Sequence, residues 1–428
     1  MKFPKLLHFM LIGALAVSAV SCKKKTTDDD TTPETNVLTG DVTTNKSLTA
    51  DKTWTLKGYV YVKSGATLTI PAGTVIKSDV VEKGALIVEP GGKLVAEGTA
   101  AKPIVFTSGV SKGQRRAGDW GGIILLGNAP TNRSTPPTIE GGVNRTYGGS
   151  NAADNSGVLK FVRIEFAGIA AAPNSEINGL TCGGVGSGTV IENVMVAYGN
   201  DDAFEFFGGT VNAKNLIAYA CSDDDYDFDF GYTGTITNAI SFKHPQVADP
   251  ADASNGVECD NDGTGTSATP FTHPKLSNFT FVGPNNAANT QANHNFANRW
   301  RRACHFTIEN SIMIGHQKGG FSIESEGTLT SYLTGTSVFK NNLVYAVSSA
   351  FKGADSTATA QITAKALADG NVKLAKAEDA GLTDPFKVGA PNFAPKAGSD
   401  AQVKGVGAIT GTDWTTGWAN WDPNNADY

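Results

Sequence analysis

The 428-residue sequence predicts an all-β solenoid, a parallel β-helix with loop insertions and a tryptophan-rich C-terminal cap. Three observations carry this. Forty-nine glycines against 10 Tyr and 6 Trp describe many turns between short strands rather than long helices. Gly65-Ala-Thr-Leu-Thr-Ile-Pro71-Ala-Gly73-Thr-Val matches Gly84-Ala-Leu-Ile-Val-Glu-Pro90-Gly-Gly92-Lys-Leu at an offset of 19, and a period near 20 marks stacked units that bury one apolar side together. Finally, Asn193, Asn215, Asn238, Asn278, Asn310 and Asn342 each precede a short β-prone run.

The elements follow in chain order. Residues 1–21 have a secretory pattern: basic Lys2 and Lys5, an apolar run from Leu6 to Val20, then Ala19-Val20-Ser21 before Cys22. A Cys there resembles the lipobox of bacterial lipoproteins, although that pattern prefers Leu where Ala19 stands. The expectation is a signal peptide, a lipidated Cys22, and a membrane contact made through the acyl anchor alone. Residues 22–45 are polar and charged, a composition that cannot offset its ordering entropy, and read as a flexible tether. The Asp28-Asp29-Asp30 run resembles acidic signals that send such lipoproteins across the outer membrane to the cell surface, with the periplasmic face as the other destination.

Residues 46–345 are expected to form the β-helix. The Asn corners are spaced 22, 23, 40, 32 and 32 apart, read as one rung of about 22 residues with insertions. Asn suits such a corner because its amide can bond the backbone of neighbouring rungs. Insertions are expected near 108–155 and 243–275. Residues 346–428 read as an irregular insertion, with a short helix within 357–376, and a cap in which Trp414, Trp418 and Trp421 close an open apolar end. Four cysteines remain after the leader, Cys182, Cys221, Cys259 and Cys304. They allow two disulfides in three connectivities, or four buried thiols.

One constellation could carry chemistry. Aligned on the Asn corners, Ala203-Phe-Glu205-Phe-Phe207 lies under Asp225-Tyr-Asp227-Phe-Asp229, and Gly256-Val-Glu258-Cys-Asp260 follows. Alternate residues of a strand share a face. Phe204, Phe206, Tyr226, Phe228, Val257 and Cys259 are then core, while Glu205, Asp227, Asp229, Glu258 and Asp260 point outward, with Asp201-Asp202 and Asp223-Asp224 just before them. Two carboxylates ~5 Å apart repel by roughly 0.8 kcal/mol in water and about 3 kcal/mol at a lower surface dielectric. Such a column calls for a partner. Calcium accepts six to eight oxygens in flexible geometry and is the expected cofactor; Arg299, Arg301 and Arg302 are the competing neutralisers. Arg299, Trp300 and Arg302 are also the candidate ligand-binding residues, with His294 beside them. An EF-hand fails because Phe230 stands where that loop needs Gly. A plain solvated face is the opposing reading, but it predicts mixed polar residues rather than three acidic rungs.

The formal net charge of −6, nearer −8 without Lys2 and Lys5, excludes a phosphate-backbone binder and favours cations or neutral sugars. There is no phosphate loop and no HExxH. His244, His273, His294, His305 and His316 lack ligand spacing and are expected in loops or at the surface.

GTAAKPIVFTS (98–108), GDWGGIILLG (118–127), LKFVRIEFAG (159–168), GGVGSGTVIENV (183–194) and NDDAFEFFGGT (200–210) resemble a family of Bacteroidota surface lipoproteins. The resemblance implies a right-handed parallel β-helix and an outer-membrane location, and brings no catalytic residues. The functional expectation is therefore a β-helix binding face, calcium-assisted, for a glycan or a partner protein. A polysaccharide lyase or glycosidase using the same acids is the second reading. The polygalacturonase pattern is incomplete here, with Asp201-Asp202 but no Gly-His-Gly. A passive envelope structural protein is the third.

Overall fold

The computed structural model describes residues 36–172 and 175–428; the leader, Cys22 and the tether to residue 35 lie outside them. The described chain coils into a parallel β-helix of 26 strands in one continuous ladder. Each turn contributes three faces. On one turn these are the first and second halves of Val190–Ala197, followed by Phe204–Phe207. Strands on all three faces pair in parallel with the same face of the next turn.

The bend between the first and second faces explains the recurring Asn. Asn193, Asn215, Asn238, Asn278 and Asn310 all have φ between 53 and 59°, a left-handed conformation that Asn tolerates better than other non-glycine residues. Their amides bond along the stack: Asn215 Nδ2 donates to Asn193 Oδ1 at 3.3 Å, and Asn238 Nδ2 to Asn215 Oδ1 at 3.4 Å. The last expected corner moves by one residue. Asn341 (φ 56°) takes it, donating to Asn310 Oδ1 at 2.6 Å. Asn342 is buried one position on, where its Oδ1 accepts the Ser311 N–H at 2.8 Å.

The offset-19 repeat proves to be a different periodicity from the rung. Val60 pairs with Leu86 and Thr67 with Lys93, partners 26 residues apart. The matching segments are successive strand–turn–strand units on different faces of one coil, because every corner in this region uses similar Pro and Gly turn chemistry.

The coil extends past both expected ends. Val37–Val42 pairs with Trp54–Val62, so the body begins before residue 45. Phe351–Gly353 and Val372–Lys373 continue the ladder beyond 345. Within the expected 108–155 insertion, Ile123–Leu126 is a buried strand of the coil. The inserted chain that follows it seals the outer side of the third face, laying Ile139, Val143 and Tyr147 over Ile87, Ile124 and Leu126.

The cap is also corrected. The C-terminal end of the coil is closed by the helix Ser356–Ala368, whose Ile362 and Ala366 join the core one turn apart. Asp355 caps it, accepting the Ala358 N–H at 2.8 Å. The tryptophan tail instead runs back along the outside of the second face. Trp418 packs edge-on against Phe161 at 5.9 Å and Trp421 against Tyr219 at 5.2 Å, over Met195, Ile217, Ile240 and Ile312. It ends near the first turns, where Tyr428 donates to Glu165 Oε1 at 2.7 Å and Arg115 donates to the Pro423 carbonyl at 2.7 Å. That face is therefore apolar on both sides.

The core stacks like on like. Phe204 lies over Tyr226 at 5.3 Å and Phe206 over Phe228 at 5.4 Å. All four cysteines are free and buried.

Replacing Asn215 by Ala should destabilise the coil by about 1–2 kcal/mol, from the αL conformation and two lost ladder bonds. Asn215→Gly, which accepts that φ, should cost less. Equal losses in chemical denaturation would show that the corner backbone is unstrained. Trp418→Ala should cost roughly 3 kcal/mol or more and expose the second face to protease. A protease pattern unchanged from wild type would contradict the strap role of the tail.

Candidate functional site

The third face carries the acids in the expected register: Thr181, Glu205, Asp227, Glu258 and Arg299 are successive Cα partners, and Phe207 pairs with Asp229. At the corner before this face runs a second column. Asp202 Oδ1 accepts the Asp224 N–H at 2.9 Å, Asp224 Oδ1 accepts the Asn255 N–H at 2.6 Å, and Asn255 Oδ1 accepts the Phe296 N–H at 3.1 Å. Asp202 and Asp224 thus hold the corner in shape, each with one oxygen so engaged.

These columns converge. Carboxylate oxygens of Asp201, Asp202 and Asp223 lie within 4.8 Å of one another, as do those of Asp202, Glu205 and Asp227, with Asp202 common to both groups. The face is not the open surface the alternation predicted. Asp202, Glu205, Asp224 and Asp260 are buried, and Asp201, Asp223, Asp227, Asp229 and Glu258 are partly so. Glu140, from the insertion, approaches Glu205, and the Asn178 amide donates to both.

The arginines divide the acids. Arg299 pairs with Glu258 at 2.9 Å and Glu324 at 3.1 Å. Arg301 contacts Glu258 and reaches Asp260 at 2.7 Å, and Arg302 reaches Asp260 at 2.6 Å. Among the described residues, no ion pair is made by the carboxylates of Asp201, Asp202, Glu205, Asp223, Asp227 or Asp229. One buried oxygen, Asp223 Oδ1, has no hydrogen-bond partner. Burial is the largest cause pushing Asp201, Asp223, Asp224 and Asp229 up to about 8, and neighbouring carboxylates add to it. The same causes lift Asp202, Glu205 and Asp227 well above the ordinary carboxylate range.

Over residues 40–419 the sequence matches the family described as a pectate-lyase-like β-helix domain. The chain belongs to that family. No curated protein and no solved structure matches it.

Within this pectate-lyase-like β-helix, one expected ligand contact is overturned. Trp300 is fully buried and stacks on Phe306 at 4.5 Å, because it shares the inward side of its strand with the core. Arg299 and Arg302 do face the acids, engaged in the ion pairs above. His294 and His316 are buried rather than superficial; His294 Nε2 bonds the His244 and Pro245 carbonyls.

Sequence reasoning passed over Lys243 and Asp225, which form a sealed ion pair at 3.1 Å with Ser241 donating to Asp225 at 2.5 Å. The lone Lys after the mostly apolar run 239–242 was the available signal. Glu140 gave none, since an inserted loop places it; Asn178 stands two residues before Leu180, at the corner position that Asp202 takes in the next rung.

The donor set is all oxygen and densely negative, which suits a hard divalent cation of calcium type. The oxygens of Asp202, Glu205 and Asp227 also sit closer together than the ~5–5.5 Å of a retaining glycosidase pair.

The raised carboxylates set a sign. A folded-state value near 8 against an ordinary value near 4 means that the folded protein holds more protons, so stability falls as pH rises through that interval. Burial lowers His294 to about 4 and His316 to about 3, which costs stability only below about pH 6.5. In a chelating buffer, the melting temperature should therefore drop between about pH 6.5 and about pH 8. A flat or rising profile there would show that these acids ionise without cost.

Proposed function

We propose that this chain is an outer-membrane lipoprotein, displayed at the cell surface through Cys22, whose β-helix binds a glycan with the help of calcium at the Asp201–Asp202–Glu205–Asp223–Asp227 corner. The observation that carries the reading is the pair of carboxylate triads sharing Asp202, none of whose carboxylates makes an ion pair among the described residues, although Lys243 Nζ donates to the Asp223 backbone carbonyl. A site so composed takes up its positive charge from solution.

The charge balance also bears on the ligand. Five carboxylates around one divalent ion leave excess negative charge, and the nearby arginines are already paired. Sugar hydroxyls, which are neutral and can complete the shell of calcium, fit this corner better than the carboxylates of a polyuronate. Carbohydrate chemistry as such is supported by the family match across residues 40–419.

The same match favours a second reading, an eliminating lyase that takes a proton with a basic side chain beside the cation. Two observations weigh against it. Arg299, Arg301 and Arg302 each hold a carboxylate, and the Lys243 side chain is sealed against Asp225.

The test is a calcium titration of the full chain by calorimetry and melting temperature, alongside Asp202→Asn/Asp227→Asn. Wild type should give binding heat and a melting temperature that rises with calcium. The double variant should give neither, yet melt higher than wild type in chelator, having lost buried like charges. A glycan array with and without calcium then identifies the ligand class, and a uronate substrate converted to an unsaturated product would select the lyase. No heat and no shift in wild type would remove the calcium reading and leave the envelope scaffold ahead.

A further inference from the structure

The cysteines left open by the sequence have unequal surroundings. Cys259 sits between outward-facing Glu258 and Asp260 with its own side chain in the core, fully buried. After Phe296–Trp300 the chain reverses through Arg302 (φ 43°) and Ala303 (φ 62°), and the Cys304 N–H bonds the Arg301 carbonyl at 3.0 Å. The Arg301 N–H in turn bonds the Cys259 carbonyl at 2.9 Å, so the reversal brings the buried Cys304 back beside Cys259 in the same core cluster, where the two thiols interact and Cys304 Sγ also lies 3.9 Å from Thr328 Oγ1. The other two have different neighbours. Cys221 Sγ accepts the Gly199 N–H at 3.4 Å and lies near the Lys243–Asp225 pair, whereas Cys182 lies by Tyr232.

We propose that Cys259 and Cys304 are a disulfide site, the one pair of the four that closes when the chain meets an oxidising compartment, while Cys182 and Cys221 stay reduced. The compartment is the one expected from the secretory leader. The oxidant is a disulfide donor, either an oxidised dithiol protein or a small-molecule disulfide. One cysteine thiolate attacks a donor sulfur, forming a mixed disulfide and releasing one donor thiol. The second thiolate displaces the other donor sulfur. The two cysteines thereby lose two electrons and two protons, and the donor leaves as two thiols. Burial pushes the Cys259 thiol up, so the folded protein holds a poor nucleophile there.

The consequence is local to the arginines. The bond would tie the strand bearing Glu258 and Asp260 to the turn bearing Arg301 and Arg302, fixing the closure of that end of the acidic column.

The full chain, purified without reductant after export, is denatured, alkylated and mapped by peptide mass spectrometry. The expected result is a linked Cys259–Cys304 peptide pair with Cys182 and Cys221 alkylated. A second sample, refolded from reduced protein with oxidised glutathione, should give the same pair, so that a failure of export is distinguished from a failure of the site. Alkylated Cys259 and Cys304 in both samples, or any other pairing, would overturn the proposal. Melting provides a second readout. Reductant should lower the melting temperature of the oxidised wild type and leave Cys304→Ser unmoved; equal sensitivity of the two would also overturn it.

Discussion

Everything distinctive in this molecule follows from stacking parallel rungs about 4.8 Å apart, which puts each outward side chain against its counterpart in the next rung. On the third face that register runs from Tyr61, Ile87 and Ile124 through Thr181 to Glu205, Asp227 and Glu258, then to Arg299 and Ser322. The column changes chemistry once in each direction. Its apolar stretch needs a cover, and the loop bearing Ile139, Val143 and Tyr147 supplies it. Its acidic stretch needs positive charge, and arginine supplies it at one end. What lies between is the proposed cation corner.

The same stacking explains which parts of the structure could be read in the sequence. Asn at the bend and the acids on alternate positions are local signals, repeated at each rung because each rung meets the same geometry. They suffice to place Glu205, Asp227 and Glu258 in register, as the strand pairing has them. Segments outside the repeat have no such signal. The approach of Glu140 to Glu205 and the burial of the acidic face depend on where inserted loops fold back, a long-range matter.

Two misreadings have more specific causes. The runs Val194-Met195-Val196 and Leu216-Ile217-Ala218 do not alternate, and a strand apolar on both sides is covered on both sides. That pattern pointed to a partner for the second face, which the tail provides with Trp418 and Trp421. Trp300 looked like a sugar platform because it sits among arginines. Parity along its own strand, which pairs Arg299 with Glu258 and Trp300 with Cys259, already assigned it to the core.

The arginines also sharpen what the unpaired acids mean. A β-helix can neutralise any outward carboxylate by placing a base in the next rung of the same column, and this chain does so at Glu258, where the partner position is Arg299. The means of compensation is therefore present within the same face. At Asp202, Glu205 and Asp227 it is not used; the neighbours there are further carboxylates. Repulsion of that kind, in a partly dry corner, costs stability at every pH where the groups ionise. A solvated, purposeless face would carry no reason to bury those groups, and a purely structural one would extend the arginine pairing. The combination of burial, proximity and missing carboxylate ion pairs is the support for the proposed cation site.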